Sequence, residues 1–312
     1  MEGVLSVLKP PGMTSHDVVD FIRKESGQRK VGHAGTLDPL AAGVLVVCVG
    51  RATRIMQFLR DDKVYRAELV LGVVTSTGDA QGEITAVRPV ERLDEDRLGA
   101  VLDELTGPGT QVPPMTSARK VGGRKLYEYA RRGVEMPREP RPVHIYRLRL
   151  VTVRREVAAH PRLIVDAACS KGTYMRTLCA EIGDRLGCGA YMSFLVRTAV
   201  GPFEIAGART LEEIAALAGA GGLSGVLVPV DAALRHLPVV GVKPGAVKAV
   251  LSGRPLYPPG VAGHPAPGGD LVRLRDGAEL LAVARVVEGD AGTKVFKPVW
   301  VRSERRELGS EG

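Results

Sequence analysis

The sequence predicts an α+β chain: a mixed or antiparallel sheet flanked by helices, followed by a small all-β domain. Strand-like and helical segments do not alternate with the regularity that a doubly wound parallel sheet requires. Beyond residue 238, short β-like pieces (LVRLRDG, ELLAVARVV, TKVFKPVWV) are separated by Gly and Pro, as in a small β domain. A length of 312 residues suffices for one large core and a second, smaller one.

Residues 1–10 alternate weakly and run into the turn-rich KPPGMTS. SHDVVDFIRKESG follows as a helix, with Val18, Val19 and Ile22 as its apolar stripe and Ser15 placed to cap it. The glycine-rich loop GHAGTLDPLAAG precedes the apolar strand VLVVCVG, and RATRIMQFLRDD reads as a second helix. In KVYRAELVLGVVTSTGD, Val64, Arg66, Glu68 and Val70 alternate with Tyr65, Ala67, Leu69 and Leu71, the period of a strand. ERLDEDRLGAVLDELTG is an amphipathic helix stopped by Gly107 and Pro108.

The stretch from Gln111 to Tyr146 is basic and proline-rich, with two tyrosines on a short helix; Arg and Lys crowd residues 119–149. Charge alone leaves two readings open, a solvated surface excursion or a lobe that grips a phosphate backbone. YRLRLVTVRREV and RLIVDAACS are strands, paired antiparallel. YMRTLCAEIGDRLG is a helix, AYMSFLVRTAVGPF a strand, and TLEEIAALAGAGGLSG a helix ending in a glycine-rich break. A boundary within 222–238 separates a first domain, 1–235 with its basic insertion at about 111–145, from a second, 236–305. The tail SERRELGSEG is expected to fray.

Composition narrows the function. No stretch approaches the roughly 18 apolar residues of a membrane span. The N-terminus lacks a basic region followed by a long apolar one, so the expected location is the cytoplasm. Cys48, Cys169, Cys179 and Cys188 show no CxxC spacing, which argues against a zinc site or a disulfide framework; Cys48 reads as a core thiol. A net charge of +8 favours a polyanionic partner, since Lys and Arg displace counterions from phosphates. Aromatics are only 4 % of the chain, so those near a chemical motif are candidates for base stacking.

GHAGTLDPLAAG matches neither GxxxxGK[ST] nor a GxGxxG loop after a strand, and no second His stands at metal-ligand spacing from His33. Asp-Pro is a common turn dipeptide. Asp38 precedes a proline and is biased to extended backbone, while Gly32, Gly35 and Gly43 permit another chain to approach closely. Held by the following strand, Asp38 is a turn residue, a nucleophile or a general acid/base. The loop has no second carboxylate, which weakens a glycoside-hydrolase reading.

GHAGTLDPLAAGVL resembles the catalytic motif of the TruB family, the bacterial tRNA pseudouridine 55 synthases. LKPPGMTSHDVV, KVYRAELVLGVVTSTGDAQG, QVPPMTSARKVGGRKLYEYARRG and CSKGTYMRTLCAEIGDRLGCGAYMSFLVRT extend the match in order, over roughly residues 4–203. The C-terminal piece resembles that family's PUA-like RNA-binding domain, without a sharp motif. The resemblance implies a pseudouridine-synthase-like catalytic domain with an RNA-gripping insertion. It makes Asp38 the nucleophile and His33 the residue that fills the place of the extruded nucleotide. Tyr65 would stack on the flipped base; Tyr174 and Arg176 would line the pocket, Arg176 pairing with Asp38; Leu195 would be an apolar wall; Lys9 would support the floor. The implied substrate is the T-arm stem-loop of tRNA, met by a monomer without guide RNA or obligate protein partner. Uridine and pseudouridine are isomers, so the reaction calls for no cofactor or metal.

Three positions depart from the family pattern: Thr116 for a frequent aromatic residue, Tyr191 for a frequent histidine and Val196 for a frequent arginine. None lies in the catalytic loop, so they bear on RNA contacts. Two rivals stand beside this reading. Relatives that work within guide-RNA particles are disfavoured by PLAAGVL, KPPGMTS and the lack of a long Lys-rich tail. A tRNA-binding protein that folds RNA without essential chemistry has no need of GTLDP together with KGTYMR.

Overall fold

Strand β1 (Gly3–Lys9) ends at the Pro-Pro-Gly turn, and helix α1 (Ser15–Ser26) follows. The computed structural model describes residues 1–117, 119–157, 159–263 and 270–302. Thr14, extended at φ −74° and ψ 160°, caps α1: its hydroxyl accepts from the Asp17 amide, and the Asp17 carboxylate accepts from Thr14 N. Ser15, the expected cap, is already helical; its hydroxyl bonds elsewhere, to the loop that carries Asp38. Val18, Val19 and Ile22 are buried as predicted.

Strands β2 (Val31–Ala34) and β3 (Ala42–Val49) flank that loop. The expected second helix is a 3₁₀ helix, Gly50–Phe58. Its buried side chains Ala52, Ile55 and Phe58 recur every third residue, the repeat of a 3₁₀ rather than an α turn. Strand β4 (Lys63–Leu71) comes next, then the hairpin of β5 (Val73–Thr75) and β6 (Ile84–Val87). Helix α2 (Glu95–Glu104) is capped by Asp94 and leads into β7 (Gly107–Gln111). The basic stretch holds the small hairpin of β8 (Lys120–Val121) and β9 (Arg124–Lys125), then helix α3 (Leu126–Ala130) with Tyr127 and Tyr129. Strands β10 (Arg141–Arg154) and β11 (Arg162–Cys169) pair antiparallel. Helix α4 (Met175–Arg185), strand β12 (Ala190–Val200), the short β13 (Phe203–Glu204) and helix α5 (Leu211–Gly219) complete the series.

The large sheet has the order β1-β3-β12-β4-β11-β10-β7, with β2 on β3 and β13 on β12. It is mixed: β12 runs parallel to β3 and antiparallel to β4. Tyr65, Ala67, Leu69 and Leu71 form the buried row of β4. They share one core with Leu163, Val165 and Ala167 of β11, Leu178 and Ile182 of α4, and Leu98 and Val101 of α2. Each such Leu, Ile or Val removed from water stabilises the fold by about 1.5–3 kcal/mol, so the centre of the sheet is a firm base for the loops at its edge.

Contacts divide the chain into two compact units. One comprises Leu5–Cys48 and Asp61–Val226; the other comprises Met1–Val4, Val49–Arg60 and the chain from Leu227 on. The second unit contains the expected β domain. Strands β14 (Val239–Val242), β15 (Val261–Ala262), β16 (Leu271–Asp276), β17 (Glu279–Glu288) and β18 (Lys294–Val301) form a sheet in the order β15-β14-β16-β17-β18. Val240, Leu274, Leu281 and Phe296 lie in its core. The tail predicted to fray, from residue 303 on, lies outside the described residues. Among the described residues no helix is long and apolar enough to cross a membrane.

Candidate active site

Asp38 opens a tight turn. Its carbonyl accepts from Ala41 N at 3.0 Å, with Pro39 at the second turn position, where a fixed φ suits the bend. Asp38 is therefore both a turn residue and a side chain free to face a cleft. Three groups brace the loop. The Ser15 hydroxyl donates to Leu37 O at 3.0 Å and accepts from Leu37 N at 2.9 Å. Lys9 Nζ and Gly12 N both donate to Pro39 O. Arg197, wholly buried on β12, donates to Val44 O, Thr36 O and Gly35 O at 2.8, 3.2 and 3.0 Å.

The loop glycines serve this internal bracing. A Cβ added at Gly43, where φ is +113°, would fall 2.2 Å from the Arg197 carbonyl oxygen. Gly43 thus lets β12 close onto β3, with which Arg197 is in register, rather than admitting a separate chain. At Gly35, φ +83°, the nearest atom to an added Cβ would be Lys63 Cε at 3.2 Å.

Lys9 also donates to Pro10 O and Met13 O, at 2.8 and 2.6 Å. Burial lowers its pKa from 10.5 to about 8, partly offset by the charge of Asp38. Its contacts gather three carbonyls, Pro10 O and Met13 O from the turn after β1 and Pro39 O from the Asp38 turn.

Arg176 sits in the first turn of α4. Tyr174 is the residue before that helix, and its amide donates to the Oε1 of buried Gln111 at 2.9 Å. The Arg176 Nε lies 3.2 Å from Asp38 Oδ2, the pairing expected from the sequence. The same guanidinium lies 3.4 Å from Asp79 Oδ2. It also donates to the Thr116 hydroxyl and, at 3.2 Å, to the Thr116 carbonyl. Asp79 is fixed by Thr77 Oγ1 at 2.6 Å and Gln81 N at 3.0 Å. The Asp79 side chain is 10 % exposed and that of Asp38 42 %, so of the two acids only Asp38 is open to an incoming molecule.

A cleft of about 320 Å³ opens in front of this pair. Asp38, Lys63, Tyr65, Tyr174, Arg176 and Leu195 line it. Burial pushes the Tyr65 phenol up to about 12, so its ring meets the cleft uncharged. The structure thus brings five of the seven predicted residues to one cavity. Lys9 lies outside its lining and acts on the loop from behind. His33 also lies outside the lining, and on β2 rather than in the loop; burial lowers its pKa, which favours the neutral ring.

Sequence reasoning missed Arg197, Asp79 and Ser15 as parts of this site. An arginine inside the otherwise apolar strand FLVRTAV, and an aspartate in the turn STGD, were the available signals. Thr116, read from the sequence as bearing on RNA contacts, also accepts from the arginine that pairs with Asp38. Tyr191 and Val196 lie on β12, opposite Val70 and Arg66 of β4. All four cysteines are free; burial raises Cys48 and Cys179 to about 12 and Cys169 to about 11, so these are packing thiols.

Comparison with known proteins gives the arrangement a context. Residues 23–175 match the family described as TruB family pseudouridylate synthase, N-terminal domain, and residues 176–235 match the tRNA pseudouridylate synthase B C-terminal domain. The chain is 51 % identical over 306 residues to the tRNA pseudouridine synthase B of Pelotomaculum thermopropionicum, covering 96 % of this chain and 97 % of the relative. It is 44 % identical over 310 residues to that of Geobacillus thermodenitrificans, covering 96 % and 99 %. A solved chain from an H/ACA ribonucleoprotein bound to a substrate RNA containing 2′-deoxyuridine is similar at a TM-score of 0.73 and 28 % identity, over 97 % of this chain and 86 % of that one.

Proposed function

The chain belongs to the TruB family of pseudouridylate synthases, and from that premise we propose that it isomerises the T-loop uridine of tRNA, position 55, to pseudouridine. The observation that carries the reading is Asp38: a reachable carboxylate on a braced turn, ion-paired to a buried arginine at the wall of a cleft.

The bond from ribose C1′ to N1 breaks, the base turns, and C1′ bonds to C5. N1 gains a proton and C5 releases one to water, so atoms and electrons balance within the substrate. Asp38 either attacks C1′ or abstracts a ribose proton; both routes need an oriented carboxylate, which Arg176 supplies. The uridine must leave its stack, at a cost of a few kcal/mol. The Tyr65 ring offsets part of that by stacking, worth about 1–3 kcal/mol per base. Leu195 and Tyr174 close the walls, Lys9 supports the turn through Pro39, and His33 fills the vacated place in the RNA. The basic stretch 119–149 and the C-terminal β domain supply phosphate contacts, in a stand-alone monomer working in the cytoplasm.

The test is a T-arm stem-loop with tritium at C5 of its uridines. Release to water by the wild type, lost in Asp38→Asn while RNA binding persists, supports the reading. Binding without release by the wild type overturns it in favour of an RNA-folding protein without chemistry.

A further inference from the structure

We propose that His144 and Tyr146 form a second base-binding site, a stacking platform for an unpaired nucleobase of the RNA beside the cleft that takes the target uridine. The proposal rests on the reading of the substrate as RNA. The two rings are stacked, with centroids 4.7 Å apart and planes at 28°. Both residues are exposed, Tyr146 at 50 %, on a chain that spends few aromatics on its surface.

The backbone builds this exposure. Strand β10 pairs Ile145 with Cys169 and then Arg147 with Ala168, so Tyr146 is the extra residue of a β-bulge. His144 and Tyr146 face outward by strand alternation around buried Ile145, and the extra residue keeps Arg147 outside as well before Leu148 returns to the core. Both members of the pair are tied to the segments that form the cleft. His144 N donates to Ser170 Oγ, and Ser170 N donates to His144 O, each at 2.8 Å; residues 171–176 then line the cleft. Tyr146 Oη donates to Asp62 Oδ1 at 3.2 Å, between the cleft residues Asp61 and Lys63.

The surroundings select the ligand. Arg141, Arg147 and Arg149 are exposed along the same strand, and the Lys171 side chain, 3.9 Å from Asp61, is 80 % exposed. Flat rings among cations suit a splayed base with its phosphates better than an apolar protein surface. The Tyr146 ring, held at its hydroxyl by Asp62, loses little freedom when a base lands on it.

The experiment is a binding cycle with the full chain. End-labelled T-arm stem-loops, each with one loop nucleotide other than the target made abasic, are titrated by fluorescence anisotropy against wild type, His144→Ala, Tyr146→Ala and Tyr146→Phe. At one position the abasic change weakens wild-type binding by roughly fivefold or more and weakens Tyr146→Ala no further. His144→Ala shows a partial loss there, and Tyr146→Phe, which keeps the ring and loses the contact to Asp62, binds like wild type. If Tyr146→Ala binds every RNA as wild type does, or if the abasic and Ala losses add at every position, the platform is overturned. A Phe variant as weak as Ala would assign the effect to the Asp62 contact and also overturn it. Tritium release by the same wild-type preparation scores the isomerase reading separately, since the cycle reads binding alone.

Discussion

Arg176 Nε stands 3.2 Å from Asp38 Oδ2, a contact that ties the first turn of α4 to the loop between β2 and β3. The planar guanidinium also reaches Asp79 and both Thr116 oxygens. A lysine ammonium offers donors from a single point and cannot span these groups. Arg176→Lys is expected to lower kcat by roughly 10²- to 10³-fold with a smaller change in KM, read by single-turnover tritium release. Equal rates for the two proteins would remove Arg176 from the catalytic arrangement.

Thr116→Val deletes the hydroxyl that accepts from Arg176 and keeps the carbonyl contact. A hydrogen bond to a charged group contributes about 1.5–3 kcal/mol. The remaining partners absorb part of the loss, so kcat should fall by about 3- to 10-fold. The unfolding midpoint should move little, which thermal denaturation checks.

Gly43→Ala and Arg197→Met attack the same junction from opposite sides. The first places a methyl group against the Arg197 backbone at a positive φ; the second removes the buried side chain that donates to three carbonyls of the loop and β3. Each is expected to destabilise the fold by about 3 kcal/mol or more, measured by urea unfolding. A variant as stable as the wild type would show that the loop does not depend on this brace.

Lys9 gives a pH dependence with a definite sign. Its pKa is about 8 in the folded chain, against 10.5 as the ordinary value. Between these values the unfolded chain binds more protons than the folded one, so this group's contribution to stability rises with pH. Below pH 8 the lysine is protonated in both states and the burial cost is paid in full. The stability of wild type relative to Lys9→Met should therefore increase from pH 8 to pH 10, by at most about 3 kcal/mol. A difference that stays flat across that range would mean that Lys9 titrates normally.

Much of the fold was legible because the periodicities are local. Val18, Val19 and Ile22 marked α1, and the alternation from Val64 to Leu71 marked β4 with its buried face. Ser15 and the segment after Gly50 were read less well. A serine next to a threonine does not announce which one caps, and an apolar repeat of three over nine residues mimics an α stripe. The paired roles of Thr116 and Asp79 were invisible, because each meets Arg176 only through chain reversals far apart in sequence.

By itself the sequence determined the α+β class, the basic surface and the Asp38 loop, since these follow from residue types at short spacing. It also named Arg176 through a motif that matches a family. Only the tertiary structure decided which groups hold Asp38 still. Ser15, Lys9, Gly43 and Arg197 come from α1, β1, β3 and β12, and their hydrogen bonds and close contacts form only when those elements pack. Buried carbonyls must find donors wherever the fold places them, and the chain supplies those donors from residues that no local pattern singles out.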